Sequence, residues 1–185
     1  TLMATFSCQA NWLLIGLLIL GAVFPWWEMR FRRGESTHVY SIHMLLFAFS
    51  MVVGYGLLPA DAENHPNQPG TVTMIAAALL TLGALLRNGI APLHCWMTDL
   101  FERATLGTAL LHVLPMTGAY AAMRLVLPIV PTWALQSIAV LSLFTAVYAS
   151  GRALVETDTR KFFCYLLLSS SSLVLVGLEL VTPVG

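Results

Sequence analysis

Charged residues are scarce in this sequence. Only 10% of its 185 residues are charged, with nine basic and nine acidic side chains, whereas a soluble domain carries about 25%. The balanced charge excludes the basic surface by which proteins bind nucleic acid. Because 58% of the residues are hydrophobic and the mean hydropathy is +0.80, the composition also excludes a disordered chain, a collagen-like fibre and an ordinary cytosolic enzyme. It indicates a polytopic membrane protein.

Lysine, cysteine and the motifs of soluble enzymes are scarce too. Eight of the nine basic residues are arginine, and Lys161 is the single lysine. Cys8, Cys95 and Cys164 form no C-x-x-C pair, so we expect small buried residues rather than disulfides. We expect no metal site, because no second pair of ligands accompanies Cys95. The sequence contains no G-x-G-x-x-G, P-loop, H-E-x-x-H or G-x-S-x-G motif, so nothing indicates a nucleophile, a metal or a bound nucleotide.

Long apolar stretches predict an all-α polytopic membrane helix bundle. A membrane-spanning helix needs about 20 mostly apolar residues, and about six stretches qualify within one transmembrane domain, residues 1–185. We expect a charged loop after the first and a solvated loop after the second, rich in proline and acidic residues. The predicted spans are 11–27, 39–58, 71–103, 105–126, 132–151 and 162–181.

The third stretch is too long for one straight helix. Gly and Pro interrupt helical hydrogen bonding, so we predict a break near Gly89–Pro92. A broken helix is tolerated in a membrane only where neighbouring groups or water satisfy the freed backbone. We therefore expect the break to lie inside the bundle or beside a cavity.

The basic residues orient the predicted helices. One side carries seven of them and the other side only Arg124, while Arg87 lies within a span. By the positive-inside rule the seven-residue side is cytoplasmic and the N-terminus lies outside. The seven are Arg30, Arg32, Arg33, Arg103, Arg152, Arg160 and Lys161.

Three intramembrane residues are candidates for an ion path: Arg87, His94 and His112. A basic residue near mid-membrane costs several kcal/mol and usually marks an ion path or a buried pair; the alternative is that Arg87 snorkels to water from a helix end. Histidine titrates nearest neutral pH, so each histidine is either a proton relay or a satisfied core residue.

Two further groups of polar residues have a functional and a structural interpretation. Asp99, Glu102 and Arg103 predict either a salt-bridge cluster at the cytoplasmic mouth or a solvated loop. The serine run 169–172 predicts either a helix-packing face or a water-lined surface, since serine suits both.

Four segments resemble the antiporter-like membrane subunits of respiratory complex I and of multisubunit cation/proton antiporters. The central one, which resembles K-S-A-Q-F-P-L-H-x-W-L-P-D-A-M-E, is Arg87-Asn-Gly-Ile-Ala-Pro-Leu-His-Cys-Trp-Met-Thr-Asp-Leu-Phe-Glu102. The second segment is Thr105-Leu-Gly-Thr-Ala-Leu-Leu-His112, which is similar to T-P-V-S-A-L-L-H. The third segment is Ala153-Leu-Val-Glu-Thr-Asp-Thr-Arg-Lys-Phe-Phe-Cys-Tyr-Leu-Leu-Leu-Ser169, which is similar to A-L-V-Q-N-D-I-K-R-V-L-A-Y-S-T-I-S. Arg32-Arg-Gly-Glu-Ser36 resembles the cytoplasmic R-R-P-E-S loop.

The resemblance implies a fold of about fourteen helices in two inverted repeats, of which this chain would cover helices five to ten. It implies a path for protons or Na⁺ through a bacterial-type inner or plasma membrane, driven by quinone reduction in other subunits. The chain would be a membrane subunit of an NADH:quinone oxidoreductase or antiporter, surrounded by the lipid bilayer and by partner membrane subunits. It would bind no cofactor and catalyse nothing alone.

The resemblance also assigns residues. Arg87 falls on the lysine that loads and releases a proton, and His112 falls on the Lys-or-His that passes the proton onward. The flanking motif comprises Pro92, His94, Trp96, Asp99 and Glu102, and the second motif comprises Asp158, Arg160, Lys161 and Tyr165.

The chain departs from the family pattern at the ion path. The glutamate that pairs with the lysine would fall near Leu17 or Leu18, where no carboxylate stands, and Leu106 replaces the proline of the T-P-V-S motif. Arginine stays protonated where lysine can cycle. Two interpretations follow: a proton-conducting subunit that uses His112 and water, or a diverged non-pumping structural subunit with Arg87 as a fixed counter-charge.

Overall fold

The part of the chain that the structure describes is helical apart from short connections. The computed structural model describes residues 2–7, 10–32, 34, 36–58, 70–113 and 117–180. Six spans within these residues are long and apolar enough to cross a membrane, which confirms the predicted number. The helices are α1 (Leu2–Ser7), α2 (Asn11–Trp27), α3 (His38–Gly56), α4 (Thr71–Asn88), α5 (Cys95–Arg103), α6 (Leu106–Val113), α7 (Thr117–Ala121), α8 (Thr132–Val155) and α9 (Thr159–Leu180).

Two π-helical segments lengthen the bundle. One, Glu28–Arg32, continues α2, and the other, Ala122–Val126, continues α7. The prediction of a charged loop directly after α2 is therefore wrong for residues 28–32, and Glu28 is only 4% exposed. Continued helical bonding keeps backbone groups satisfied where a loop in an apolar environment would leave them unpaired.

Other helix boundaries also differ from the prediction. α8 extends four residues further than expected, so Arg152 lies in its last turn. α9 begins three residues earlier, where the Asp158 carboxylate accepts a hydrogen bond from the Arg160 backbone N–H at 2.9 Å, a typical helix-capping contact. The short helix α1 was not predicted. Residues 59–69, Pro115 and Arg33, which carry predictions of their own, lie outside the described residues.

The cysteine prediction holds for one residue of the three. Cys164 is buried and Cys95 is exposed, so the expectation is wrong for Cys95, because this residue opens α5 beside the helix break. Cys8 lies outside the described residues.

Apolar side chains cover the exterior of the bundle. Leu45, Val140 and Leu154 expose 70%, 69% and 89% of their surface. In water such a surface would drive aggregation, whereas lipid tails solvate it. The protein is an integral membrane protein.

Two helix pairs pack closely, α3 with α4 and α8 with α9. At Gly54 an added Cβ would lie 3.0 Å from Leu80 Cγ and 3.1 Å from the Leu80 backbone nitrogen. Small residues of this kind let two helix backbones approach.

The helix ends that carry most basic residues meet at one end of the bundle. The Arg160 guanidinium donates to the carbonyls of Phe101, Glu102 and Ala104 at 3.2–3.5 Å, and Arg103 donates to Ser36 Oγ at 2.7 Å. Arg124 instead donates to Asn11 Oδ1 at 3.3 Å. Because α2 runs from Asn11 towards the basic end, Arg124 lies at the opposite end, as predicted.

Candidate functional site

The predicted helix break is confirmed, and it begins at a glycine. Gly89 ends α4 with φ of 71° in the left-handed region, which only glycine adopts without strain. The Gly89 N–H donates to Leu86 O at 3.2 Å and the Ile90 N–H donates to Leu85 O at 3.2 Å. These two bonds form a Schellman motif, which places Arg87 in the last turn of a helix that ends inside the bundle.

Side chains from other helices satisfy the backbone groups that the break frees. The Ala91 N–H donates to Thr145 Oγ1 of α8 at 3.1 Å. The Trp96 indole N–H donates to Leu86 O at 2.7 Å, and Trp96 is 1% exposed. The break is therefore held between α8 and α5, as a broken helix in a membrane requires.

Arg87 points into the bundle and is only 7% exposed, which excludes the snorkelling alternative. Its Nη1 lies 2.6 Å from His112 Nε2. Its Nη2 donates to Thr117 Oγ1 at 3.0 Å and to the His112 carbonyl at 3.4 Å. Because a guanidinium only donates, His112 Nε2 is the acceptor, and the neutral ring carries its proton on Nδ1.

Two aromatic side chains complete the surroundings of this pair. The Tyr40 hydroxyl donates to Ala22 O at 2.9 Å and lies 3.3 Å from His112 Nε2. The Trp96 ring lies 5.8 Å from Arg87 Cζ, within the range of a cation–π interaction. Sequence reasoning missed Tyr40; its only signal was the polar opening of the second span, where His38 and Ser41 flank it.

No carboxylate in the described part of the chain forms an ion pair with Arg87. Its Nε donor has no hydrogen-bond partner there either. Partial compensation comes from α4, because a helix C-terminus carries negative partial charge that favours a cation. The positive charge is thus held by a helix end, an aromatic ring and neutral acceptors.

A cavity of about 510 Å³ borders Arg87 and His112. Leu17 and Leu18, where the resemblance would place a glutamate, line its α2 side. A second cavity of about 20 Å³ separates Arg87 from Ser171 on α9, which is room for one water molecule. The pair therefore sits between two cavities.

His94 does not join the Arg87–His112 pair. Its ring is half-buried and lies 5.7 Å from the ring of Tyr148 and 6.5 Å from that of Tyr165. Arg152 lies over the Tyr165 ring at 5.4 Å. This arrangement brings His94 to the second predicted motif.

The two acidic residues after the break, Asp99 and Glu102, differ in burial and in pairing. Asp99 is buried and pairs with Arg103 at 2.6 Å, as the salt-bridge interpretation predicts, whereas Glu102 is exposed. In the serine run, Ser169 Oγ donates across to Ala146 O of α8 at 3.1 Å, as a packing face does, whereas Ser171 lines the small cavity beside Arg87.

Comparison with known proteins decides the family. Residues 34–184 match the family described as "NADH:quinone oxidoreductase/Mrp antiporter, TM". The chain belongs to this family. No solved structure was found to match the chain.

The relatives that the chain matches are named as subunits of an oxidoreductase or a dehydrogenase. The chain is 28% identical over 156 residues to "NADH-quinone oxidoreductase subunit N" of Beutenbergia cavernae. This alignment covers 79% of this chain and 29% of that protein. It is 27% identical over 168 residues to "NADH-quinone oxidoreductase subunit L" of Campylobacter jejuni, with 86% and 27% covered. It is 30% identical over 106 residues to "F(420)H(2) dehydrogenase subunit L" of Methanosarcina mazei, with 56% and 16% covered. The chain spans less than a third of the length of these relatives; its equivalence to helices five to ten stays a prediction.

Proposed function

We propose that this chain is a proton-conducting membrane subunit of a complex I-like NADH:quinone oxidoreductase or of a cation/proton antiporter. The observation that carries the proposal is the buried contact of Arg87 with His112 at 2.6 Å, at a helix break inside the bundle. The relatives' names support a multisubunit assembly, with the redox chemistry in other subunits. The basic end would face the cytoplasm of a bacterial-type membrane and the N-terminus the outside.

His112 is the proton carrier in this proposal, and Arg87 is a charge that stays protonated throughout. Arginine stays protonated, so it cannot load and discharge a proton as a lysine does. The His112 Nε2 lone pair is occupied by the Arg87 donor, so a proton reaches this nitrogen only when the guanidinium moves away. The proton path and the position of Arg87 are therefore coupled.

The transported ion is a proton rather than Na⁺. Sodium binding needs several oxygen ligands, and a nearby guanidinium repels a cation. The described residues around His112 offer a guanidinium, an imidazole and hydroxyls but no carboxylate. Histidine, in contrast, can accept and release a proton at its ring nitrogens.

The second motif and His94 continue the path towards the basic end in this proposal. The rings of His94 and Tyr165 lie 6.5 Å apart, and Arg160 holds the end of α5. Trp96 positions α5 through the Leu86 carbonyl, and Asp99 orients Arg103 within the same helix.

Proton flux into liposomes, followed with a pH-sensitive dye, tests the assignment of His112. We expect His112→Ala to abolish flux by the full-length chain in its parent complex. His43→Ala is the matched control, since among the described residues the His43 ring is hydrogen-bonded only within its own helix, to Val39 O. Arg87→Lys should raise flux, because lysine can release its proton.

The structural alternative predicts other outcomes. If the chain is a non-pumping subunit, His112→Ala and His43→Ala leave flux through the parent complex unchanged, and Arg87→Lys only lowers the stability of the assembly. Unchanged flux in a correctly assembled His112→Ala complex would overturn the relay.

A further inference from the structure

The cavity beside Arg87 has properties that proton conduction does not require. Its volume of about 510 Å³ lies within the range of small-molecule sites. Its walls are mostly apolar, with leucines of α2 on one side. A path for protons alone would need polar walls or ordered water along its length, since water in a cavity needs several polar partners.

The mouth of the cavity lies on the apolar exterior of the bundle. Leu20, Phe24 and Leu111 line the cavity and expose 54%, 64% and 65% of their surface. In a bilayer these side chains meet lipid tails, so a ligand enters sideways from the membrane rather than from water.

One wall of the cavity carries the positive charge of Arg87, which favours the binding of an anion. Within the described residues, Arg87 is 7% exposed, donates only to neutral acceptors and retains an Nε donor without a partner. A buried charge without a counter-ion is strongly destabilising, and a guanidinium binds a carboxylate with a charge-assisted hydrogen bond. The three bonds leave two of the five guanidinium N–H donors unused, and a small carboxylate headgroup reaches them more readily than a bulky phosphodiester does.

From these observations we infer that the cavity binds a long-chain carboxylate, such as a fatty acid, with its headgroup on Arg87 and its apolar chain along α2. This site is additional to the proposed proton path. The bound carboxylate supplies the counter-charge that the described residues do not provide.

Gly21 offers a way to fill the cavity without disturbing the fold. It lines the cavity, and a Cβ placed there meets no atom within 4 Å, so Gly21→Phe extends a ring into open space. Gly16 is the matched control, because it lies on the same helix with equally open surroundings but outside the cavity lining.

Photolabelling of the full-length chain in its native membrane tests the inference. A diazirine derivative of palmitate should label residues 17–24 of α2. Excess oleate should remove this labelling, whereas oleyl alcohol, which lacks the carboxylate, should compete at least about tenfold more weakly, the value of one hydrogen bond to a charged group. Arg87→Gln and Gly21→Phe should each lower labelling, and Gly16→Phe should leave it unchanged.

Three results would overturn the inference: equal competition by oleyl alcohol, full labelling of the Gly21→Phe variant, or no labelling of α2. The last is expected if another helix of a longer chain fills the cavity. The Gly21→Phe variant keeps Arg87, so its result stands even if Arg87→Gln fails to fold.

Discussion

Replacing Gly118 by alanine tests the packing directly beside Arg87. An added Cβ would lie 2.7 Å from Asn88 Oδ1, 2.8 Å from Cγ and 2.9 Å from Nδ2, so something must shift. The Asn88 side chain cannot turn away freely, because it is 6% exposed and its amide donates to Ala84 O at 2.8 Å. The clash therefore displaces α7 from the end of α4.

The magnitude follows from two opposing terms. Overpacking a well-packed site costs about 1–3 kcal/mol, while replacing glycine by alanine within a helix returns up to about 1 kcal/mol. We expect Gly118→Ala to lower the free energy of unfolding by about 1–2 kcal/mol. Because Thr117 binds Arg87, the displacement should also disturb the candidate site.

Denaturant-induced unfolding in detergent micelles measures this difference. Gly107→Ala is the control, since a Cβ there meets no atom within 4 Å; it should be neutral or stabilising. A double-mutant cycle with Asn88→Ala should show favourable coupling, because the smaller side chain removes the clash. Equal stability of the Gly118→Ala and Gly107→Ala variants, or zero coupling in the cycle, would refute the reasoning.

Two further substitutions test the contacts that hold the broken helix. Trp96→Phe removes one donor to the Leu86 carbonyl and should lower the free energy of unfolding by about 1 kcal/mol. The control is Trp12→Phe, because Trp12 is exposed and should tolerate the change. Thermal unfolding compares the two variants, and equal midpoints would contradict the role of the Trp96 indole. Arg160→Gln removes the hydrogen bonds to the carbonyls at the end of α5, so amide hydrogen exchange at residues 100–104 should quicken about tenfold. Lys161→Gln is the control. Equal exchange rates in both variants would show that Arg160 does not hold this end of α5.

Much of the architecture was predictable because it depends on local composition. Apolar stretches of about 20 residues define spans, and six were found by length and composition. The break was predictable at Gly89 because glycine and proline act locally on backbone hydrogen bonds. The π-helical segment 28–32 was not predictable from its charged residues, since it extends a helix that the rest of the bundle supports.

The candidate site was predictable only in part. Arg87 and His112 were identified individually, as basic residues in apolar surroundings. Their contact joins residues 25 positions apart, and Tyr40 lies a further 47 positions before Arg87, so no local pattern reports that the three meet. The same limit left His94 assigned to the neighbourhood of Arg87, whereas it contacts Tyr148 and Tyr165.

The sequence by itself determined that the chain is a membrane protein of six spans with a broken third helix, because a bilayer accepts long apolar helices and charges resist burial in it. Its motifs also identified the family. Only the tertiary structure decided that Arg87 turns inward to His112 rather than outward to water, and that a cavity borders the pair. The physical reason is that burial and pairing depend on which helices pack together, and helix packing joins residues that the sequence keeps far apart.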